Sequence, residues 1–132
     1  MNLYIPSEAQ EQTAVFNWAD VMARRWPEFR LLFHVPNGGS RNAREAKNLK
    51  QQGVKPGVPD LFLPVARHGY HGLFIEMKRR KGGRISEEQA KMMGDLREQG
   101  FCAWVCKGAD SAIELITGYL GDGNNTTMQG LF

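Results

Sequence analysis

Two short apolar runs constrain this chain more than anything else in it. Asp60–Ala66 (DLFLPVA) and Leu73–Lys78 (LFIEMK) are rich in aromatic and branched residues and are bounded by glycine or proline. Runs of this length and composition read as buried β-strands rather than helices. The segment RHGYHG between them supplies turn residues, so the pair is predicted to form a β-hairpin. A lone hairpin is marginal in water and needs further strands or a helix against it. Each run also carries a carboxylate, Asp60 in the first and Glu76 in the second, and Lys78 follows two residues later. A charge on a buried strand requires a partner.

The remaining segments supply the cover. Ser7 followed by Gln10 has capping-box spacing and opens a helix expected to run to about Arg25, before Pro27. Val15, Trp18, Ala19 and Met22 recur at i, i+3, i+4 and i+7, and the same stripe extended backwards meets Glu8, Glu11 and Gln12. Leu31–Val35 reads as a strand, and Pro36–Gly39 as a turn. Ser40 is expected to cap a basic helix that stops at Gly53. VKPGVP is a rigid loop, because the residue before each proline is pushed extended. Ser86 with Gln89 is a second capping box, opening a helix through Met92, Met93 and Leu96 to Gly100. Phe101–Cys106 reads as a strand and Ala109–Leu120 as a last helix.

The predicted order is therefore helix, strand, helix, strand, strand, helix, strand, helix. Nearly continuous apolar strands mixed with helices point to an α/β protein whose sheet is covered on both faces. The strand–helix–strand unit from Phe74 onward calls for a parallel pairing with a right-handed crossover. With 132 residues, 42% hydrophobic, the chain is one domain with one core. The domain is placed at residues 1–121, with 122–132 as a flexible tail. No apolar run approaches the roughly 18–20 residues of a membrane span, and no membrane partner is expected. The start, MNLYIPSEAQ, has neither a basic n-region nor an apolar h-region, so no signal peptide is expected. Cys102 and Cys106 share one face of a predicted strand roughly 13 Å apart, too far for a disulfide. They read as reduced core residues of an intracellular protein; a cytoplasmic location, in a bacterium or a virus-infected host cell, is expected.

The net charge of +3 is mild, but its distribution is not. Arg41, Arg44, Lys47, Lys50 and Lys55 face a single acid, Glu45; Lys78, Arg79, Arg80, Lys81 and Arg84 face none. Both clusters flank the two acid-bearing strands, as a polyanion partner would require. A solvated basic surface is the plainer alternative.

A hairpin centred near Gly69 sets Phe62 opposite Glu76 and Asp60 opposite Lys78. Asp60 and Glu76 are then diagonal neighbours about 7 Å apart on one face of the sheet, and Lys78 shares that face. Two converging carboxylates repel unless a cation lies between them. An all-oxygen donor set suits Mg²⁺ or Mn²⁺ rather than zinc. A lysine beside a metal-bound water can orient that water or stabilise developing negative charge. With Glu8 or Glu11 added, three carboxylates and a phosphodiester carry about four negative charges, which two divalent ions would balance; one or two ions per site are expected. The plain alternative is that Asp60 starts a strand, Glu76 and Lys78 are exposed, and Glu8 and Glu11 merely suit the positive end of a helix.

SEAQEQ at 7–12, HVPNGG at 34–39, GVKPGVPDLFL at 53–63, FIEMK at 74–78 and SEEQ at 86–89 together resemble the virus-type replication-repair nucleases (VRR-NUC) of the PD-(D/E)xK superfamily, in their stand-alone form. The resemblance spans about residues 7–110. It implies a three-layer α/β/α, restriction-endonuclease-like fold around a mixed sheet of four to five strands. It also implies divalent-metal-dependent DNA cleavage. It places metal ligands at Glu8, Asp60, Glu76 and the Met77 carbonyl, and catalytic roles at Asp60, Glu76, Lys78 and Gln89. Glu8–Gln12 matches the family's Glu-x-x-x-Gln better than Glu11 does, and Glu11, Gln12 and His34 stand as secondary candidates. Asn37 matches a loop beside the site. Asn37, Arg41, Arg44, Lys47, Lys50, Arg79, Arg80, Lys81 and Arg84 are the expected DNA contacts. Stand-alone members resemble homodimeric Holliday-junction resolvases acting on branched, four-way DNA. Flap or duplex cutting, or a non-catalytic DNA-binding module on the same scaffold, are the alternatives. The ending MQGLF is loosely like a sliding-clamp-binding tail with its glutamine displaced, and is read as a mobile tail.

Overall fold

Helix α1 spans Glu8–Met22 and opens with the expected capping box: Ser7 Oγ accepts from Gln10 N–H and Gln10 Oε1 accepts from Ser7 N–H. These contacts belong to a computed structural model that describes residues 4–36 and 42–121. The helix stops at Met22, short of the expected Arg25. Trp26 is held extended ahead of Pro27, and the proline starts a 3-10 helix, Pro27–Leu31. That short helix takes Leu31, so strand β1 is only Phe33–His34 rather than Leu31–Val35.

Helix α2 is Ala43–Gln51. Its N-cap is Asn42, whose side chain accepts from Glu45 N–H at 2.8 Å; the expected cap, Ser40, lies outside the described residues. No α2 side chain is buried. Strand β2 is Leu61–Leu63, shorter than the expected Asp60–Ala66, because Pro59 and Pro64 bracket it and proline has no N–H for the ladder. Strand β3 is Leu73–Lys78, helix α3 Glu87–Glu98, strand β4 Cys102–Lys107 and helix α4 Ala109–Leu120.

The sheet order is β1-β2-β3-β4, with β1–β2 and β2–β3 antiparallel and β3–β4 parallel. Leu61 and Leu63, Leu73, Ile75 and Met77, and Cys102 and Cys106 pack with Val15 and Ala19 of α1 and Ala112, Leu115, Ile116 and Tyr119 of α4. Each fully buried aliphatic side chain contributes about 1.5–3 kcal/mol. Tyr119 closes this layer by donating its hydroxyl to the Val65 carbonyl at 2.6 Å. Burial pushes its phenol up to about 12 and the Cys106 thiol up to about 11, so both stay neutral core groups.

Side chains alternate along a strand, so Phe74, Glu76 and Lys78 face away from that core. Gln89 of α3 bonds Glu76, which puts α3 on the opposite face and completes the three α/β/α layers. On that second face Phe62 stacks on Phe74 at 4.2 Å, with Phe101 at 5.3 Å from Phe74 and Phe33 at 5.7 Å from Phe62. Among the described residues no helix is long and apolar enough to cross a membrane. The expected tail at 122–132 lies outside them.

Candidate active site

The hairpin register places the acids, and it differs from the expected one by two residues. Phe62 pairs with Phe74 and Leu61 with Ile75, so continuation of the ladder sets Asp60 against Glu76, not Lys78. The reason lies in the connection. The turn is centred between His68 and Gly69, both at positive φ and bracketed by an Arg67–Tyr70 bridge. The first arm then carries one residue more than the second (64–66 against 71 and 72), taken up at Pro64, where Val65 N–H donates to the Leu63 carbonyl. A shift of two residues preserves the face, so the acids still converge, and directly rather than diagonally.

Asp60 is held from three sides. Its Oδ2 accepts from Met77 N–H at 2.7 Å. Its carbonyl accepts from Val35 N–H at 2.7 Å and from His34 Nδ1 at 2.9 Å. His34 thus braces the Asp60 backbone through its Nδ1–H. The loop before Asp60 crosses directly over the start of α3 at Gly57. With φ +88, a Cβ there would lie 2.4 Å from the Glu88 carbonyl oxygen, so the approach requires glycine.

Glu76 is 2% exposed. Its Oε1 accepts from Gln89 Nε2 at 2.9 Å and lies 3.4 Å from Lys78 Nζ, while its Oε2 is buried with no hydrogen-bond partner among the described residues. Burial first, and then the Asp60 carboxylate, push Glu76 up to about 8, against the pull of Lys78. Glu8, in the first turn of α1, is raised by burial and by Asp60 and lowered by Lys78, so it belongs to the same electrostatic group. Gln89 serves two ends at once. Its Oε1 accepts from Ser86 N–H in the second capping box while its Nε2 donates to Glu76. Met77 sits between the two functional residues of β3, with its side chain in the core and its N–H on Asp60. Gln12 is half-buried one turn beyond Glu8.

Glu11 is placed differently from Glu8. It is 3% exposed and forms a two-pronged ion pair with Arg80, at 2.9 and 3.1 Å. Sequence reading listed both residues but did not join them, since no local pattern links positions 11 and 80. Arg79, Lys81 and Arg84 are exposed in the loop after β3, and Arg44, Lys47, Lys50 and Lys55 are exposed on α2 and just beyond it. Asn37 and Arg41 lie outside the described residues.

Among the described residues no group of three or more His, Cys, Asp or Glu side chains is placed to hold a metal ion. The donors nevertheless fit a hard divalent cation. Asp60 and Glu76 oppose each other across the hairpin, one buried carboxylate oxygen has no partner, and Glu8 stands near. An ion of the Mg²⁺ type is commonly held by one or two carboxylates and keeps waters and substrate oxygens for the rest of its shell.

Comparison with known proteins identifies the family. The VRR-NUC domain matches residues 16–110, which include Asp60, Glu76, Lys78 and Gln89 but leave Glu8 outside. A solved structure described as a VRR_NUC domain protein is 35% identical, covers 89% of this chain and 91% of its own, and superposes with a TM-score of 0.76. A search of curated proteins found no match. The chain belongs to the VRR-NUC family, nucleases of the PD-(D/E)xK type.

Proposed function

We propose that this nuclease is a Mg²⁺- or Mn²⁺-dependent endonuclease for branched DNA that resolves four-way junctions as a homodimer. One observation carries the reading: Asp60 and Glu76 face each other, with an unpartnered buried oxygen on Glu76 and the Lys78 amine 3.4 Å from the same carboxylate. Asp60 and Glu76 would hold one or two ions, with Glu8 and the Met77 carbonyl adding oxygens. The bound ion supplies charge stabilisation and water activation. Gln89 fixes the Glu76 carboxylate through Oε1 and leaves Oε2 to bind. Lys78, whose side chain is 12% exposed, presents Nζ to donate to the attacking water or to a phosphate oxygen. The exposed cations of α2, with Arg79, Lys81 and Arg84 of the loop after β3, contact phosphates, which positions DNA without reading its sequence.

A small unit that grips a four-way branch gains from a two-fold partner, which doubles the basic surface and sets two sites symmetrically. Such an enzyme works where replicating DNA is, in the cytoplasm of a bacterium or an infected host cell. The test is a cleavage panel of four-way junction, flap, fork, single strand and linear duplex with Mg²⁺, Mn²⁺ or EDTA. Paired, metal-dependent nicks at the junction are expected. Cutting confined to flaps or duplex would redirect the substrate assignment, and junction binding without cleavage under any ion would sink the catalytic reading.

A further inference from the structure

Arg80 lies inside the most basic stretch of the chain, Lys78–Arg84, yet its guanidinium is engaged by a carboxylate. Nε donates to Glu11 Oε2 at 2.9 Å and Nη2 to Glu11 Oε1 at 3.1 Å, a fork on a carboxylate. The Glu11 side chain is 3% exposed and that of Arg80 49%. An exposed pair of this kind stabilises little. Here one partner is buried, and a buried carboxylate stripped of its cation is strongly disfavoured.

The pair also joins three segments. Glu11 stands one turn after Glu8 on α1, and Arg80 stands two residues after Lys78 at the end of β3. Gly108, in the turn from β4 to α4, closes the group. Its N–H donates to the Lys78 carbonyl at 3.0 Å. At φ +91, a Cβ on it would sit 2.6 Å from Glu11 Oε2 and 2.9 Å from Arg80 Cγ. The start of α1, which carries Glu8, is thus tied to the strand end that carries Glu76 and Lys78.

We infer that Arg80 is a positioning residue that, through Glu11, holds Glu8 against the Asp60–Glu76 pair, and that it does not serve as a phosphate contact. This rests on the proposed metal site. The test compares Arg80→Ala, Arg80→Lys and Glu11→Gln with Arg79→Ala, an exposed cation one residue away. Two readouts are needed: Mn²⁺ affinity by calorimetry without DNA, and four-way-junction affinity in EDTA over a range of salt. Circular dichroism identifies any variant that does not fold; Arg80→Lys and Glu11→Gln are the milder pair.

Arg80→Ala is expected to weaken Mn²⁺ binding about tenfold or more, as loss of a group supporting a metal ligand does. It should leave junction affinity and salt slope near parental. Arg80→Lys should recover part of the loss, and Glu11→Gln should resemble Arg80→Ala. Arg79→Ala should do the reverse, sparing Mn²⁺ and lowering the salt slope by about one. Parental Mn²⁺ affinity in all three Arg80 and Glu11 variants would overturn the inference alone, as would a loss of junction affinity in Arg80→Ala matching that of Arg79→Ala. A parent protein that binds no Mn²⁺ would overturn the metal site and this inference together.

Discussion

Replacing Glu76 by Gln should abolish cleavage and, without metal, stabilise the fold. Glu76 is 2% exposed and faces Asp60 across the hairpin. Burial and Asp60 push it from the usual 4.5 to about 8. The sign follows from proton counting. Between those two values the folded state binds more protons at this site than the unfolded chain does. Stability therefore falls as pH rises through the window from about 4.5 to 8, and the penalty is complete above it. At pH 7 the linkage amounts to about 3 kcal/mol, and at pH 5 to less than about 1 kcal/mol.

Glutamine has nearly the same shape and no charge. Its Oε1 can keep the bond from Gln89, and its amide can donate toward Asp60. A neutral side chain also loses some of the contact with Lys78 that offsets the penalty in the parent. The expected gain is therefore about 1–3 kcal/mol at pH 7, a rise of roughly 3–9 °C in Tm for a domain of this size. The assay is thermal unfolding of parent and Glu76→Gln in EDTA at pH 5, 7 and 8, repeated with saturating Mn²⁺. The variant should lead in EDTA by a margin that grows with pH. Mn²⁺ should raise the parent's Tm more than the variant's, since binding to the folded state stabilises it by mass action. A variant that melts below the parent in EDTA at pH 7, or by a margin unchanged between pH 5 and pH 8, would refute the reasoning.

Other outcomes follow from the same contacts. Asp60→Ala should end metal-dependent cutting with junction binding in EDTA retained, and should cost about 1–3 kcal/mol in urea melts because the Met77 N–H loses its acceptor; Asp60→Asn should be equally inactive but more stable than Asp60→Ala. Gly57→Ala should destabilise by about 2 kcal/mol or more in the same melts, because a Cβ there meets the Glu88 carbonyl at 2.4 Å with φ at +88. Lys47→Ala on the exposed α2 should weaken binding of all DNA forms alike and lower the salt slope by about one, with single-turnover cutting at saturating protein unchanged.

Local chemistry was legible in the sequence. Both capping boxes, Ser7–Gln10 and Ser86–Gln89, and the bounds of β3 at Leu73–Lys78 depend on residues within a few positions of one another, so spacing and composition suffice to find them. The order of helices and strands, and the parity that puts Asp60, Glu76 and Lys78 on one face, follow from the same periodicity. Tertiary structure decided the rest. The two-residue shift that sets Asp60 opposite Glu76 came from how the hairpin arm absorbs Pro64. The separation of Glu8, near the acids, from Glu11, locked to Arg80, depended on which segments meet at the start of α1. The need for glycine at Gly57 depended on the backbone of α3 passing beneath it. These outcomes join residues far apart along the chain, and no propensity or spacing encodes such distances; they are set when packing brings sheet, helices and loops to one place.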